Sequence, residues 1–131
     1  MPNNQTNKQL EGKIALITGG ARGLGREMAL AFAEAGAAGV AITAAPGSDE
    51  TSDAIQSELN DTLAEIGVLG CMGLAVLGDV SVAEDCERVV AETIEAFGAL
   101  HILVNNAGKA GRYAHGGKGS MPIYEADPEG F

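Results

Sequence analysis

Thr18-Gly19-Gly20-Ala21-Arg22-Gly23-Leu24-Gly25 places four glycines in eight residues, directly behind the apolar run Ile14-Ala15-Leu16-Ile17. Glycine loses more backbone entropy on ordering than any other residue, so this density marks a turn from which side chains are excluded. Leu24, Met28, Ala31, Phe32 and Ala35 then recur at the spacing of one helix face, and Gly36 stops the run. A buried strand therefore feeds a glycine turn and a helix. The start of such a helix offers unpaired N–H groups and about half a positive charge. A diphosphate fits there where no Cβ blocks its approach. Gly19, Gly23 and Gly25 stand where the turn, the close approach and the helix packing need them, and Arg22 adds a cation. An ordinary tight strand–helix turn uses glycine too. The spacing Gly-x-x-x-Gly-x-Gly also differs from the Gly-x-Gly-x-x-Gly of the common dinucleotide fingerprint, so the loop alone does not name its ligand.

Outward from the loop the same alternation repeats. Val40-Ala41-Ile42-Thr43 reads as a second strand, closed by Pro46-Gly47. Ser48 is expected to begin the next helix, with Asp49 and Glu50 suiting its positive end. Ile55, Leu59, Thr62, Leu63 and Ile66 form that helix's buried face, and Gly67 is expected to stop it. Gly73 to Leu77 predicts a third strand. Ser81-Val82-Ala83-Glu84 has the form of a capping box, and Val82, Cys86, Val89, Val90, Ile94 and Phe97 continue at helical spacing to Gly98. Leu100 to Val104 predicts a fourth strand. Apolar strands that are continuous rather than alternating, separated by helices, specify an α/β chain with a parallel sheet covered on both faces.

Bulk properties narrow the partners. A chain of 131 residues holds one modest domain, and 46% apolar with 20% charged residues is a composition that folds. Eight basic against 18 acidic residues give a net charge of −10, the wrong sign for gripping nucleic acid. Any phosphate must be held by local geometry. Cys71 and Cys86 are too few for a disulfide framework and too far apart for a CxxC site, which suits a reducing, cytoplasmic setting. No metal-ligand pattern stands out. MPNNQTNKQL lacks a signal-peptide core, and no apolar run approaches the roughly 18 residues of a membrane span. Residues 1–11 read as a flexible polar tail. After Gly108 the chain becomes Gly-rich and charged, so residues 109–131 read as a loop leading to a helix start near Asp127-Pro128-Glu129.

Three motifs in order carry a family resemblance: Thr18-Gly19-x-x-x-Gly23-x-Gly25 after the first strand, Asp79-Val80 after the third, and Asn105-Asn106-Ala107-Gly108 after the fourth. Together they resemble the short-chain dehydrogenase/reductases from about Gly12 to Gly108. The resemblance implies a Rossmann-like doubly wound parallel sheet in strand order 3-2-1-4, incomplete here with four strands and three helices. Residues 12–108 would be a dinucleotide-binding half-domain. It also implies roles: Thr18, Gly19, Arg22, Gly23, Leu24 and Gly25 around the cofactor's pyrophosphate, and Asp79 accepting from the adenine amino group with Val80 lining that pocket. Asn105 and Asn106 would stand at the end of the fourth strand, Asn106 tying the central strands together, while Ala107 and Gly108 pass the nicotinamide-side ribose. Asp79 also reads as a turn or helix-capping aspartate beside Ser81.

An NAD-preferring site usually carries a carboxylate at the end of the second strand, roughly 20 residues past the loop. Ala44-Ala45 stand there instead, with no acid until Asp49, and Arg22 can attract a 2′-phosphate. NADP(H) is therefore favoured over NAD(H), although Arg22 also reads as a solvated surface residue. The family's chemistry is hydride transfer between a nicotinamide and a carbonyl or alcohol carbon, with a Tyr-x-x-x-Lys pair on one helix. Here Tyr113 is followed four positions on by Gly117 and Tyr124 by Pro128; Ser120 and His115 read as loop residues, and His101 as a strand-end surface residue. No catalytic residue is assigned. The expectation is the front half of an NAD(P)-dependent oxidoreductase whose full-length parent acts on a small carbonyl or alcohol and forms a homo-oligomer. The competing expectation is a non-catalytic nucleotide-binding or partner-pairing module. Either way, a fourth strand left at an edge makes the isolated chain marginal.

Overall fold

A computed structural model of the chain describes residues 9–107. Seven elements alternate: β1 (Ile14–Thr18), α1 (Gly23–Glu34), β2 (Gly39–Ala44), α2 (Ser52–Val68), β3 (Met72–Leu77), α3 (Ala83–Phe97) and β4 (Ile102–Val104). The strands form one parallel sheet in the order β3-β2-β1-β4. This is the doubly wound Rossmann-like arrangement expected. The order reverses between β1 and β4, and ligands of open parallel sheets bind in the crevice at such a reversal.

Period-two alternation within the buried strands divides the core. Ile17 and Ile42 face α1 and α2, packing against Ala29, Ala33, Leu59 and Ile66. Leu16 and Ala41 face α3, packing with Val76 and Val89. Every residue of β1 is buried, and each large side chain so covered contributes about 1.5–3 kcal/mol. Small residues on α1 let that helix lie close to the sheet, since Ala29 and Ala33 are its buried residues along with Gly25.

Several boundaries differ from expectation, each for a local reason. The second helix begins at Ser52 and not Ser48. Residues 48–51 form a preceding turn in which the Thr51 hydroxyl accepts from the Ser48 amide at 3.0 Å and the Ser48 carbonyl accepts from Thr51 and Ser52. Asp49 and Glu50 thus precede the helix, and Asp53 is the acid in its first turn. At the other end α2 runs through Gly67 to Val68, and the left-handed residue that stops it is Gly70, at φ +83°. The capping box at Ser81 does not form: Val82 is the N-cap with no side-chain bond, because Ser81 turns to Asp79 instead. Gly98 ends α3 as expected, at φ +86°. Leu10, within the segment read as a tail, donates its amide to the Ala35 carbonyl at 2.9 Å and packs on the core. His101 is exposed, yet its Nδ1 accepts from the Ile14 amide at 2.9 Å while its own amide donates to the Ile14 carbonyl, so it fastens the start of β1.

In the described sheet β4 is an edge of three residues, and Leu103 on it is 50% exposed. An apolar edge strand invites pairing with another chain, and lysine on an edge suppresses it. The 131-residue chain expressed alone is expected to self-associate, and Leu103→Lys to lower the associated fraction by sedimentation velocity. A wild-type chain that stays monomeric and melts sharply at all concentrations contradicts this.

Candidate functional site

β1 and β4 end side by side at the sheet's reversal, and one hydroxyl joins them. Thr18, the last residue of β1 and buried, accepts through Oγ1 from the amides of Asn106 and Ala107, both at 3.0 Å. Its own proton goes to the Val104 carbonyl at 3.3 Å. Asn106 Nδ2 donates to the Gly19 carbonyl at 3.1 Å, so the residues after β4 are tied directly to the glycine loop after β1. On its other flank the loop is fixed by β2. The Thr43 carbonyl accepts from the Gly20 amide at 3.0 Å, and the Thr43 hydroxyl from the Gly19 amide at 3.4 Å.

Two of the loop's glycines bear directly on where α1 begins and on the space in front of it. A Cβ on Gly25 would run into the Gly19 carbonyl oxygen and lie 2.6 Å from Asn106 Nδ2, so only glycine lets α1 begin this close to the loop. Gly23 is left-handed at φ +61°, and a Cβ there would meet nothing within 4 Å. The space in front of it is open. α1 starts beside that space with no side-chain cap on its amides and no acidic residue in its first turn, whereas α2 and α3 carry Asp53, and Glu84 with Asp85, in theirs. Arg22 is the N-cap in extended conformation, with an 81% exposed side chain 3.8 Å from the Glu58 carboxylate, and Leu24 beside it is also exposed.

The residues after β3 complete a cleft of about 140 Å³, lined by Thr18, Thr43, Asp79, Val80, Cys86 and Asn105 among others. Ends of all four strands meet in it. Asp79 donates its amide to Asp85 Oδ2 at 2.9 Å, and its Oδ1 accepts from the Ser81 amide at 2.9 Å and hydroxyl at 2.6 Å. The carboxylate thus orders its own turn at the cleft mouth. Arg88 Nη2 donates to the Leu77 carbonyl at 2.8 Å and holds the end of β3. Thr18, Asp79, Val80 and Asn105 share the cleft, while Arg22 stands apart, in a groove between α1 and α2 with Arg26, Glu58 and Glu65. Gly108, Tyr113, His115, Ser120 and Tyr124 lie outside the described residues.

The two thiols differ. Cys71 is buried, and desolvation pushes its thiol up from the usual range. Cys86 is exposed at the cleft, with Sγ 3.2 Å from the Val80 carbonyl. Sequence reading did not assign Thr43 or Cys86 to the site. For Thr43 the available signal was its place at the end of a strand neighbouring the loop. Cys86 carried no signal, since it reads as one more position of an apolar face.

The family model for short chain dehydrogenases matches residues 13–127. The chain belongs to the short-chain dehydrogenase family. A short chain dehydrogenase/reductase of Aspergillus oryzae is 42% identical over 108 residues, covering 82% of this chain and 38% of that protein. The NADPH-dependent aldehyde reductase 1, chloroplastic, of Arabidopsis thaliana is 40% identical over 104 residues, covering 79% of this chain and 35% of the relative. A crystal structure of a dehydrogenase from Burkholderia cenocepacia with bound NADP superposes with a TM-score of 0.70 at 30% identity, over 80% of this chain and 37% of that one. The chain thus spans 35–38% of the length of these three proteins.

Thr18→Val removes the acceptor of two amides and is expected to cost about 2 kcal/mol in urea unfolding. Gly25→Ala forces a backbone shift and is expected to cost about 1–3 kcal/mol. A change under about 0.5 kcal/mol in either variant contradicts this junction of β1, β4 and α1.

Proposed function

We propose that this chain is the cofactor-holding part of an NAD(P)-dependent oxidoreductase acting on a carbonyl or alcohol carbon in the cytoplasm, and that NADP(H) is preferred. The observation that carries this reading is the uncapped start of α1 in front of the open space at Gly23, in a family of dehydrogenases. The residues fit the cofactor: the loop has no Cβ at Gly23 to fill the place of a diphosphate, and helix amides there have no competing carboxylate. When bound, the dinucleotide supplies or accepts a hydride.

In this reading Thr18, Gly19, Arg22, Gly23, Leu24 and Gly25 surround the diphosphate, with backbone amides as its donors. Asp79 and Val80 hold the adenine in the cleft, the Asp79 carboxylate kept in place by Ser81. Asn105, Asn106, Ala107 and Gly108 border the nicotinamide-side ribose, and the Thr18 junction keeps Asn106 and Ala107 at a constant distance from the glycine loop. Preference for a 2′-phosphate rests on two features. β2 ends at Ala44, with Ala45 next and no carboxylate to repel the phosphate, and Arg22 is exposed beside the loop. The Glu58 partner at 3.8 Å weakens that attraction only modestly, since exposed ion pairs are worth about 0–1 kcal/mol. The two thiols have no disulfide partner in the described residues, which suits a reducing compartment. In the whole protein, a small carbonyl or alcohol is the substrate and a homo-oligomer the working form.

Titration with NADPH and NADH is expected to show tighter binding of NADPH, with Arg22→Ala bringing the two affinities within about threefold of each other. Equal affinities in the wild type contradict the preference. Bound NADPH is expected to slow thiol labelling at Cys86 several-fold, because Cys86 lines the cleft assigned to adenine. No Tyr-x-x-x-Lys occurs in the 131 residues, so the chain alone is expected to leave NADPH unconsumed with a panel of aldehydes and ketones.

A further inference from the structure

Thr62 lies in the middle of α2, fully buried, and its hydroxyl leaves its own helix to contact the glycine loop. Thr62 Oγ1 is 3.1 Å from the Ala21 carbonyl oxygen, across 41 residues of sequence. A helical threonine often turns its proton back to the carbonyl four residues earlier, and Glu58 O is indeed at 3.0 Å. What distinguishes Thr62 is the third contact. Arg26 Nη1 donates to the same oxygen at 2.8 Å, and Arg26 is itself held by an ion pair with Glu65. A hydroxyl that accepts from a guanidinium is polarised, and its single proton, shared between the Ala21 and Glu58 carbonyls, becomes a stronger donor. Glu65, Arg26, Thr62 and Ala21 thus form a chain of polar contacts from the surface of α2 to the backbone of the loop.

The contact on Ala21 has a directional consequence. The Ala21–Arg22 peptide is trans, so its carbonyl and the following N–H point in opposite directions. With the Ala21 carbonyl drawn toward α2, the Arg22 amide is aimed away from α2. Arg22 is the residue immediately before the left-handed Gly23 and the open space in front of it.

We infer that Thr62 is a positioning residue for anion binding: by holding the Ala21 carbonyl toward α2 it presents the Arg22 amide to the diphosphate of a nucleotide. The inference rests on the reading of the loop as a diphosphate site. Thr62 touches no ligand; it acts through one peptide plane. Loss of its hydroxyl frees that plane to rotate, which weakens contacts to the diphosphate and leaves the adenine cleft, on the other side of the loop, unaltered.

The test compares ADP with adenosine, which differ by the diphosphate alone, on the full 131-residue chain by calorimetric titration. For Thr62→Val, nearly equal in volume, ADP affinity is expected to fall about tenfold while adenosine affinity stays within twofold. Thr62→Ser, which keeps the hydroxyl, is expected to restore the ADP-to-adenosine ratio to within threefold of wild type. A general loss of packing lowers both affinities together and leaves their ratio unmoved; that outcome overturns the inference, as does unchanged ADP binding in Thr62→Val. Should Thr62→Val lose its far-ultraviolet helical signal, Arg26→Met carries the test by removing the donor that polarises the hydroxyl. ADP affinity is then expected to fall about threefold at constant adenosine affinity, and an unchanged ratio overturns the inference. A wild-type chain that binds adenosine and ADP equally well overturns the diphosphate reading itself, separately from the role of Thr62.

Discussion

The Thr18 hydroxyl is the constraint on which the described architecture turns. β4 pairs with β1 over only three positions, too short a ladder to register its own end. Thr18 accepts two amides from the residues after β4 and gives its proton to Val104, so one buried oxygen sets where the fourth strand stops and the next segment departs. Asn106 then reaches the Gly19 carbonyl, and that carbonyl is the atom against which Gly25 must pack. The starting point of α1 follows from the end of β4. An error of one residue at Thr18 would displace the loop, the helix and the cleft together.

A chain with net charge −10 that holds a phosphate group does so against its own average field. At physiological salt that field is screened beyond about 8 Å, so what an anion meets is the nearest set of dipoles. In the proposed site those are the first amides of α1, in a first turn with no acidic residue, whereas α2 and α3 begin with acids. Of the two arginines beside the loop, Arg26 is committed to Thr62 and Glu65 and stiffens the structure. Arg22, at the rim, is the exposed one. The electrostatics of the site therefore belong to the backbone, with side chains arranging it.

Much of this was legible in residue order. Continuous apolar strands, glycine stops and helical spacing specify the seven elements, and three short motifs in succession point to the family. Boundaries were less legible where a short polar side chain chose between two partners. Ser81 has the spacing of a helix cap, but Asp79 lies two residues before it and captures its hydroxyl, so Val82 caps the helix with backbone alone. Ser48 likewise has the chemistry of a cap and spends it on a turn closed by Thr51. Both choices pit one hydrogen bond against another of similar worth, and a pattern of residue types does not weigh them.

Residue order alone determined the parallel sheet and the turn where α1 begins, because burial period and glycine's freedom from a Cβ act over a few neighbouring residues. Tertiary structure decided what fixes that turn. Thr43 is 24 residues from the loop it grips, Thr62 lies 41 from the Ala21 carbonyl, and Asn106 lies 87 from the Gly19 carbonyl. Hydrogen bonds over such separations exist only once the sheet has brought three strand ends and a helix to one place, so no local spacing encodes them.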